Sequence, residues 1–171
     1  NFGVLKKGPH SQDEKQACVI EAWNAWKGKL WNDISQDIPD LCSLNDGPWL
    51  SDEDRTRVLV PLVEILSDWL EWTVERQCAF ASTVALRTQQ EILPLALNIQ
   101  NANTGAAVTA VDLAIATAAI ATTSSAAVYA VNIAAVAAAN ISYVVYYNNL
   151  NSTIMELTSR IWKETAIQGK F

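Results

Sequence analysis

Ionic side chains are missing from a long part of this sequence. Between Ile92 and Met155 the one formally charged residue is Asp112. Histidine is nearly absent as well, with His10 the single copy. One histidine removes the H-E-x-x-H zinc helix and the Glu-x-x-His pairs of di-iron bundles. It also limits nucleophile–base pairs to those that involve His10. Glycine is scarce at six copies, and no G-x-G-x-x-G, P-loop or G-x-S-x-G run occurs. The familiar phosphate cradles and the hydrolase nucleophile elbow are therefore excluded. The three cysteines, Cys18, Cys42 and Cys78, are odd in number and contain no C-x-x-C pair. A disulfide framework is not expected, and a reducing, cytoplasmic setting is. Basic residues are outnumbered, with 12 Lys and Arg against 18 Asp and Glu and a net charge of −6. That balance argues against nucleic-acid backbone and against anionic lipid as partners. The opening NFGVLKKGPH has no apolar run of the kind that a signal peptide needs.

Apolar side chains are abundant, at half of 171 residues, and tryptophan reaches seven copies. A chain of this size and composition can bury a core. Ser11-Gln-Asp-Glu14 has the form of a capping box, and Val19, Trp23, Trp26 and Leu30 then recur at helical spacing, with Gly28 as the C-cap. Residues 32–48 read as loop. Ser51 opens a second helical segment, which Pro61 should kink or restart. Glu64, Asp68, Glu71 and Glu75 follow as an acidic stripe, read as a solvated helix face. The pattern continues from Arg76 to Ile92 and breaks at Pro94.

Alanine, the best intrinsic helix former, dominates what comes next. Ala107, Ala110, Ala114 and Ala118 share one helical face, and Ala127, Ala130, Ala134 and Ala138 repeat the spacing. Thr122-Thr-Ser-Ser125 is either a turn between antiparallel helices or a polar collar on one long helix. No period-2 alternation is sustained. The expectation is an all-α helical bundle, with a Trp-rich region at 1–97 and an Ala-rich region at 98–171 packed as one unit. Helices apolar nearly all round must be covered. Burial within the bundle plus self-association through those alanines is the leading expectation, so a second copy is the expected partner. A membrane-active, holin-like hairpin is the alternative. Asp112, Asn132 and Asn140, and the low insertion gain of alanine, weigh against it.

Candidate sites are few. Trp23, Trp26, Trp69 and Trp72 suit a ligand cleft in which Arg76 or Arg87 meets an anionic group, although Trp at helical spacing is also what a core contains. His10, Cys18, Glu21 and Cys42 make a conceivable metal group, and a metal-dependent enzyme there is a third reading. Their spacing fits no standard zinc pattern, and a lone His beside a helix start is more often a hydrogen-bonding partner. Asp33, Asp37 and Asp40 lie in the loop, where Asp serves turns. No cofactor is expected.

The run GPHSQDEKQACVIEAWNAWKG, the Asn45-Asp46 pair and LSDEDRTRVLVPLVEIL resemble a family of uncharacterised actinobacterial and phage proteins. The matching positions are His10, Cys18, Glu21, Ala22, Gly28, Asn45, Asp46, Arg55, Arg57 and Pro61. Ile20 stands where the family usually has Met, and the Ala-rich tail lacks the family's Asp and Arg. The resemblance implies a phage or bacterial accessory protein and carries no activity with it. From the residues themselves, the leading function is a non-enzymatic helical protein that occupies a partner or sequesters a small ligand.

Overall fold

A computed structural model describes residues 3–10, 17–30, 39, 41–97, 104–147 and 153–168. The described chain is an all-α helical bundle with no strand. It runs α1 (Val19–Trp26), α2 (Cys42–Asn45), α3 (Asp52–Leu66), α4 (Val74–Arg87), α5 (Leu93–Leu97), α6 (Thr104–Ala119), α7 (Ser124–Tyr147) and α8 (Thr153–Gln168).

Local chemistry sets the helix ends. The Ser11–Glu14 box lies outside the described residues, and α1 starts later than that box implied. Ala17 is still in an extended bridge with Leu5. Cys18 is the N-cap, and the Glu21 carboxylate reaches back to accept the Cys18 N–H at 2.7 Å. The box that works is thus Cys18-x-x-Glu21. Gly28 takes φ 66°, and the Lys29 N–H closes on the Asn24 carbonyl at 2.8 Å, which ends α1 as its spacing predicted. Ser51 caps α3 by accepting the Asp54 N–H at 3.0 Å, and Asp52, Glu53 and Asp54 place negative charge at the positive end of the helix. Pro61 neither restarts nor ends this helix, which continues to Leu66. The acidic stripe is not one helix face. Glu64 is on α3, Glu71 on a 3-10 turn (Trp69–Glu71) and Glu75 in the first turn of α4.

Residues 120–123 form the turn, so Thr122 and Thr123 lie in it while Ser124 and Ser125 open the next helix. α6 ends at Ala119 and α7 begins at Ser124, with the Thr123 hydroxyl accepting the Ala126 N–H at 3.2 Å. The two helices pack on each other as a hairpin, which also covers α4. Alanine makes this possible. Ala107, Ala114, Ala118, Ala127, Ala130, Ala134 and Ala138 are buried, none more than 4 % exposed, and Ala110 is half-buried against the same core. With only a methyl group at each contact, backbones approach closely and dispersion contacts replace large side chains. The burial expected within the bundle is seen, and the alanines also expected to meet a second copy lie inside the single chain. These alanines are the internal seam of one chain, and the covering they need comes from α4, α6 and α7. Among the described residues one helix, α7, is long and apolar enough to cross a membrane over Ser124–Tyr143, with 56 % of that span buried inside the molecule.

A seam of methyl groups has no room for larger side chains. Ala134→Leu should lower stability by about 1–3 kcal/mol in urea denaturation, whereas Ala116→Leu, on the exposed side of α6, should change it by less than about 0.5 kcal/mol. Equal effects at the two positions would contradict the seam.

Candidate functional site

Two places collect the polar and aromatic residues singled out above. The first is a buried polar knot where the N-terminal segment, α1, α2 and α3 meet. Glu21, only 3 % exposed, sits at its edge. Its Oε1 accepts the His10 N–H at 2.6 Å, and its Oε2 accepts the Cys18 N–H and lies 3.2 Å from His10 Nδ1. Asn45, fully buried, is the hub. Its Oδ1 accepts the Val19 N–H at 3.3 Å, and its Nδ2 donates to the Lys6 carbonyl and to Asp46 Oδ1, both at 2.9 Å. Asp46 in turn accepts the Gly8 N–H at 3.0 Å, and its carbonyl accepts the Tyr143 hydroxyl at 2.7 Å. Arg55, 5 % exposed, donates to the Asn45 carbonyl at 2.8 Å, to the Leu5 carbonyl, and to Asp52. Lys6 Nζ meets the same Asp52 at 2.6 Å. The Lys6 hydrogen bond, ahead of the Arg55 one, holds the Asp52 carboxyl below its ordinary range.

Cys18 and Cys42 come together here too. The Cys42 thiol, followed by the backbone N–H groups of Glu21 and Ile20, draws the Cys18 thiol below its usual range, against its burial and the Glu21 carboxylate. The four residues read as a metal group are thus neighbours, but their atoms serve hydrogen bonds. Among the described residues no group of three or more His, Cys, Asp and Glu side chains is disposed to hold a metal ion.

The second place is a cleft between α4 and the end of α8. Trp69, Trp72, Phe80 and Trp162 form an aromatic cluster, with ring centroids 5.2 Å apart for Trp69–Trp72 and 5.9 Å for Phe80–Trp162. Arg76 lies over the Trp72 ring, its guanidinium carbon 3.7 Å from the centroid, and donates to the Ala166 carbonyl at 3.2 Å. Beside it opens a cleft of ≈ 560 Å³, lined by Glu71, Trp72, Glu75, Arg76, Phe80 and Thr165 among others. Two lining residues, Arg76 and Thr165, carry buried atoms, Arg76 Nε and Thr165 Oγ1, that have no hydrogen-bond partner among the described residues, and Trp69 Nε1 and Trp162 Nε1 in the adjoining aromatic cluster share that condition. Thr165 is 6 % exposed. Such atoms are costly unless something satisfies them.

The sequence-based set divides accordingly. Trp69, Trp72 and Arg76 meet at the cleft. Arg87 does not join them, because it is held by Glu91 at 2.5 Å and Glu164 at 2.9 Å. Trp23 is buried beneath Lys29, and Trp26 is 56 % exposed; both belong to α1. Trp26 borders a second groove of ≈ 780 Å³ with Leu5, Val19, Val60 and Pro61, whose lining is mainly apolar. Arg57, Arg160 and Lys163 border a smaller hollow, where Arg57 is engaged by Asp54 and Glu156. Sequence reasoning passed over Thr165. Its signal was the i, i+3, i+4 spacing of Trp162, Thr165 and Ala166 on one face of α8. No family model, curated protein or solved structure matches this chain.

Removing the Glu21 carboxylate would strand the His10 and Cys18 N–H groups. Glu21→Ala should cost about 3 kcal/mol in chemical denaturation, with Glu21→Gln recovering part of it. A loss below about 0.5 kcal/mol for Glu21→Ala would show that the knot does not hold the N-terminal segment.

Proposed function

We propose that this chain is a non-enzymatic helical binding protein of bacterial or phage accessory type that takes a small ligand into the cleft between α4 and α8. One observation carries the reading: a cleft of ≈ 560 Å³ is lined by Arg76, stacked on Trp72, together with Thr165 and Phe80, and both Arg76 and Thr165 hold a polar atom with no partner among the described residues. Ligand sites are commonly built this way, from apolar walls and a few convergent polar groups. Stacking on Trp72 and the bond to the Ala166 carbonyl hold the guanidinium in place, so little side-chain freedom is lost when an acceptor arrives. Glu71 and Glu75 on the rim add negative charge. The complementary ligand carries an acceptor such as a carboxylate for Arg76 and Thr165, an apolar body for the ring faces, and a cationic group for the rim. Aromatic amino acids and short peptides have that chemistry. The knot at the other end serves stability in this reading, and the cytoplasm remains the proposed setting.

The test is titration with a panel of arylalkyl carboxylates, with and without an ammonium group, followed by tryptophan fluorescence. Saturable quenching is expected for the zwitterions. Arg76→Ala and Thr165→Val should weaken it about tenfold or more, the loss of one hydrogen bond to a charged group, while far-UV circular dichroism is unchanged. Identical affinities in wild type and both variants, or no saturable member of the panel, would overturn the assignment.

A further inference from the structure

α8 packs along α3, and beside that contact opens a hollow of ≈ 440 Å³ that belongs to neither the knot nor the α4–α8 cleft. Arg57 on α3 and Arg160 and Lys163 on α8 line it, so three of the 12 basic residues converge here in a chain of net charge −6. Arg160 and Lys163 follow Glu156 at i+4 and i+7, which puts all three on one helix face. Val58, Pro61 and Leu157 supply an apolar wall. Arg57 is already engaged, by Asp54 at 3.1 Å and Glu156 at 2.8 Å. The other two cations have charge to offer. Arg160 comes no nearer than 3.9 Å to Glu164, which is bonded to Arg87 at 2.9 Å. Lys163 is exposed and has no ion pair among the described residues. We propose that the α3–α8 hollow binds a small phosphate monoester through Arg160, Lys163 and the Ser159 hydroxyl.

Ser159 lines the same hollow. It is 2 % exposed, and its hydroxyl has no hydrogen-bond partner among the described residues. A helical Ser or Thr can satisfy its hydroxyl on the carbonyl one turn back. The adjacent Thr158 does so on Ile154 at 2.7 Å, and Thr56, Thr88, Thr109 and Thr117 do the same elsewhere. Ser159 does not, although a donor left without a partner away from water is costly. Two available cations and one unpartnered hydroxyl match a phosphate monoester, which carries a charge of about −2 and three acceptor oxygens above its second pKa. The Arg160 guanidinium can fork onto two of those oxygens, while Lys163 acts as a point charge. A carboxylate offers half that charge. The apolar wall receives the organic part of the ester. The hollow and the α4–α8 cleft have no lining residue in common, so this site and the ligand cleft stand or fall separately.

The experiment is isothermal titration calorimetry of the whole chain with phenyl phosphate, inorganic phosphate and phenol at about pH 8, where the monoester is a dianion. Saturable binding of phenyl phosphate is expected, with inorganic phosphate weaker for want of the apolar contact and phenol silent. The exposed double variant Arg160→Gln/Lys163→Gln should weaken phenyl phosphate about a hundredfold, one decade for each charged contact. Ser159→Ala should weaken it about fivefold and leave the melting temperature no lower, because a hydroxyl without a partner adds nothing to the free fold. Lys27→Gln, a lysine on α1 paired with Asp68, controls for general attraction and should leave the affinity unchanged. Equal affinity in the wild type and the double variant would overturn the proposal. So would an equal loss in Lys27→Gln, or no saturable binding of phenyl phosphate to the wild type.

Discussion

The N-terminal half of this protein depends on one requirement, that the buried amide of Asn45 be satisfied. Asn45 has no exposed surface, and its amide binds the Lys6 carbonyl, Asp46 Oδ1 and the Val19 N–H. An amide buried with its bonds made fixes the segments that make them, since breaking any one strands a donor or acceptor away from water. That is how a segment without secondary structure, residues 3–10, is held against α1 and α3. It also explains why Arg55 is inside. Its charge is met by Asp52, and its remaining donors go to the Asn45 and Leu5 carbonyls. The Tyr143 bond to the Asp46 carbonyl extends the same network to the alanine-rich hairpin, so the Trp-rich and Ala-rich regions share one set of constraints.

The hairpin rests on different physics. Its buried Ser142 hydroxyl bonds within its own helix, to the Ala139 carbonyl at 2.7 Å, and the cohesion between the two helices comes from the closeness that methyl groups permit. Ala130, Ala134 and Ala138 recur on α7 with Val131 and Ala135 beside them, all with no exposed surface. A wide buried face suits a helix covered from several sides, and α7 is packed by α2, α4, α5, α6 and α8. Leu113, Ile120, Tyr129 and Val136 stand outside this seam and are the exposed apolar residues of the pair.

Much of this was legible in the residues, and the misses have identifiable causes. The all-α class followed from alanine propensity and 3.6-residue periodicity. Gly28 as a C-cap and Ser51 as a helix start followed from local chemistry that tertiary packing did not override. The Cys18-x-x-Glu21 box was missed because cysteine is an unusual cap, while Ser11 and Glu14 matched the standard pattern. The alanine faces were expected both inside the bundle and at a contact between copies, because a count of apolar faces cannot show that α4 lies across the hairpin. Arg87 was grouped with Arg76 on side-chain type alone. Glu164, which holds Arg87, comes from α8 and is 77 positions away, and no periodicity reports such a pairing.

The two polar places differ in a way that bears on their roles. In the knot, Glu21, Asn45 and Arg55 have named partners for their buried groups, supplied by the chain itself. Such a closed network specifies a structure and leaves little for a ligand. At the α4–α8 cleft the guanidinium is seated on Trp72, yet Arg76 Nε and Thr165 Oγ1 have no hydrogen-bond partner among the described residues, as is true of Trp69 Nε1 and Trp162 Nε1 in the same cluster. A fold that needed these groups only for stability would gain by replacing Thr165 with valine, which fills nearly the same space without the desolvation cost. The knot positions α1 to α3, the alanine seam positions α4 beneath α6 and α7, and α8 packs on α4 beside the cleft.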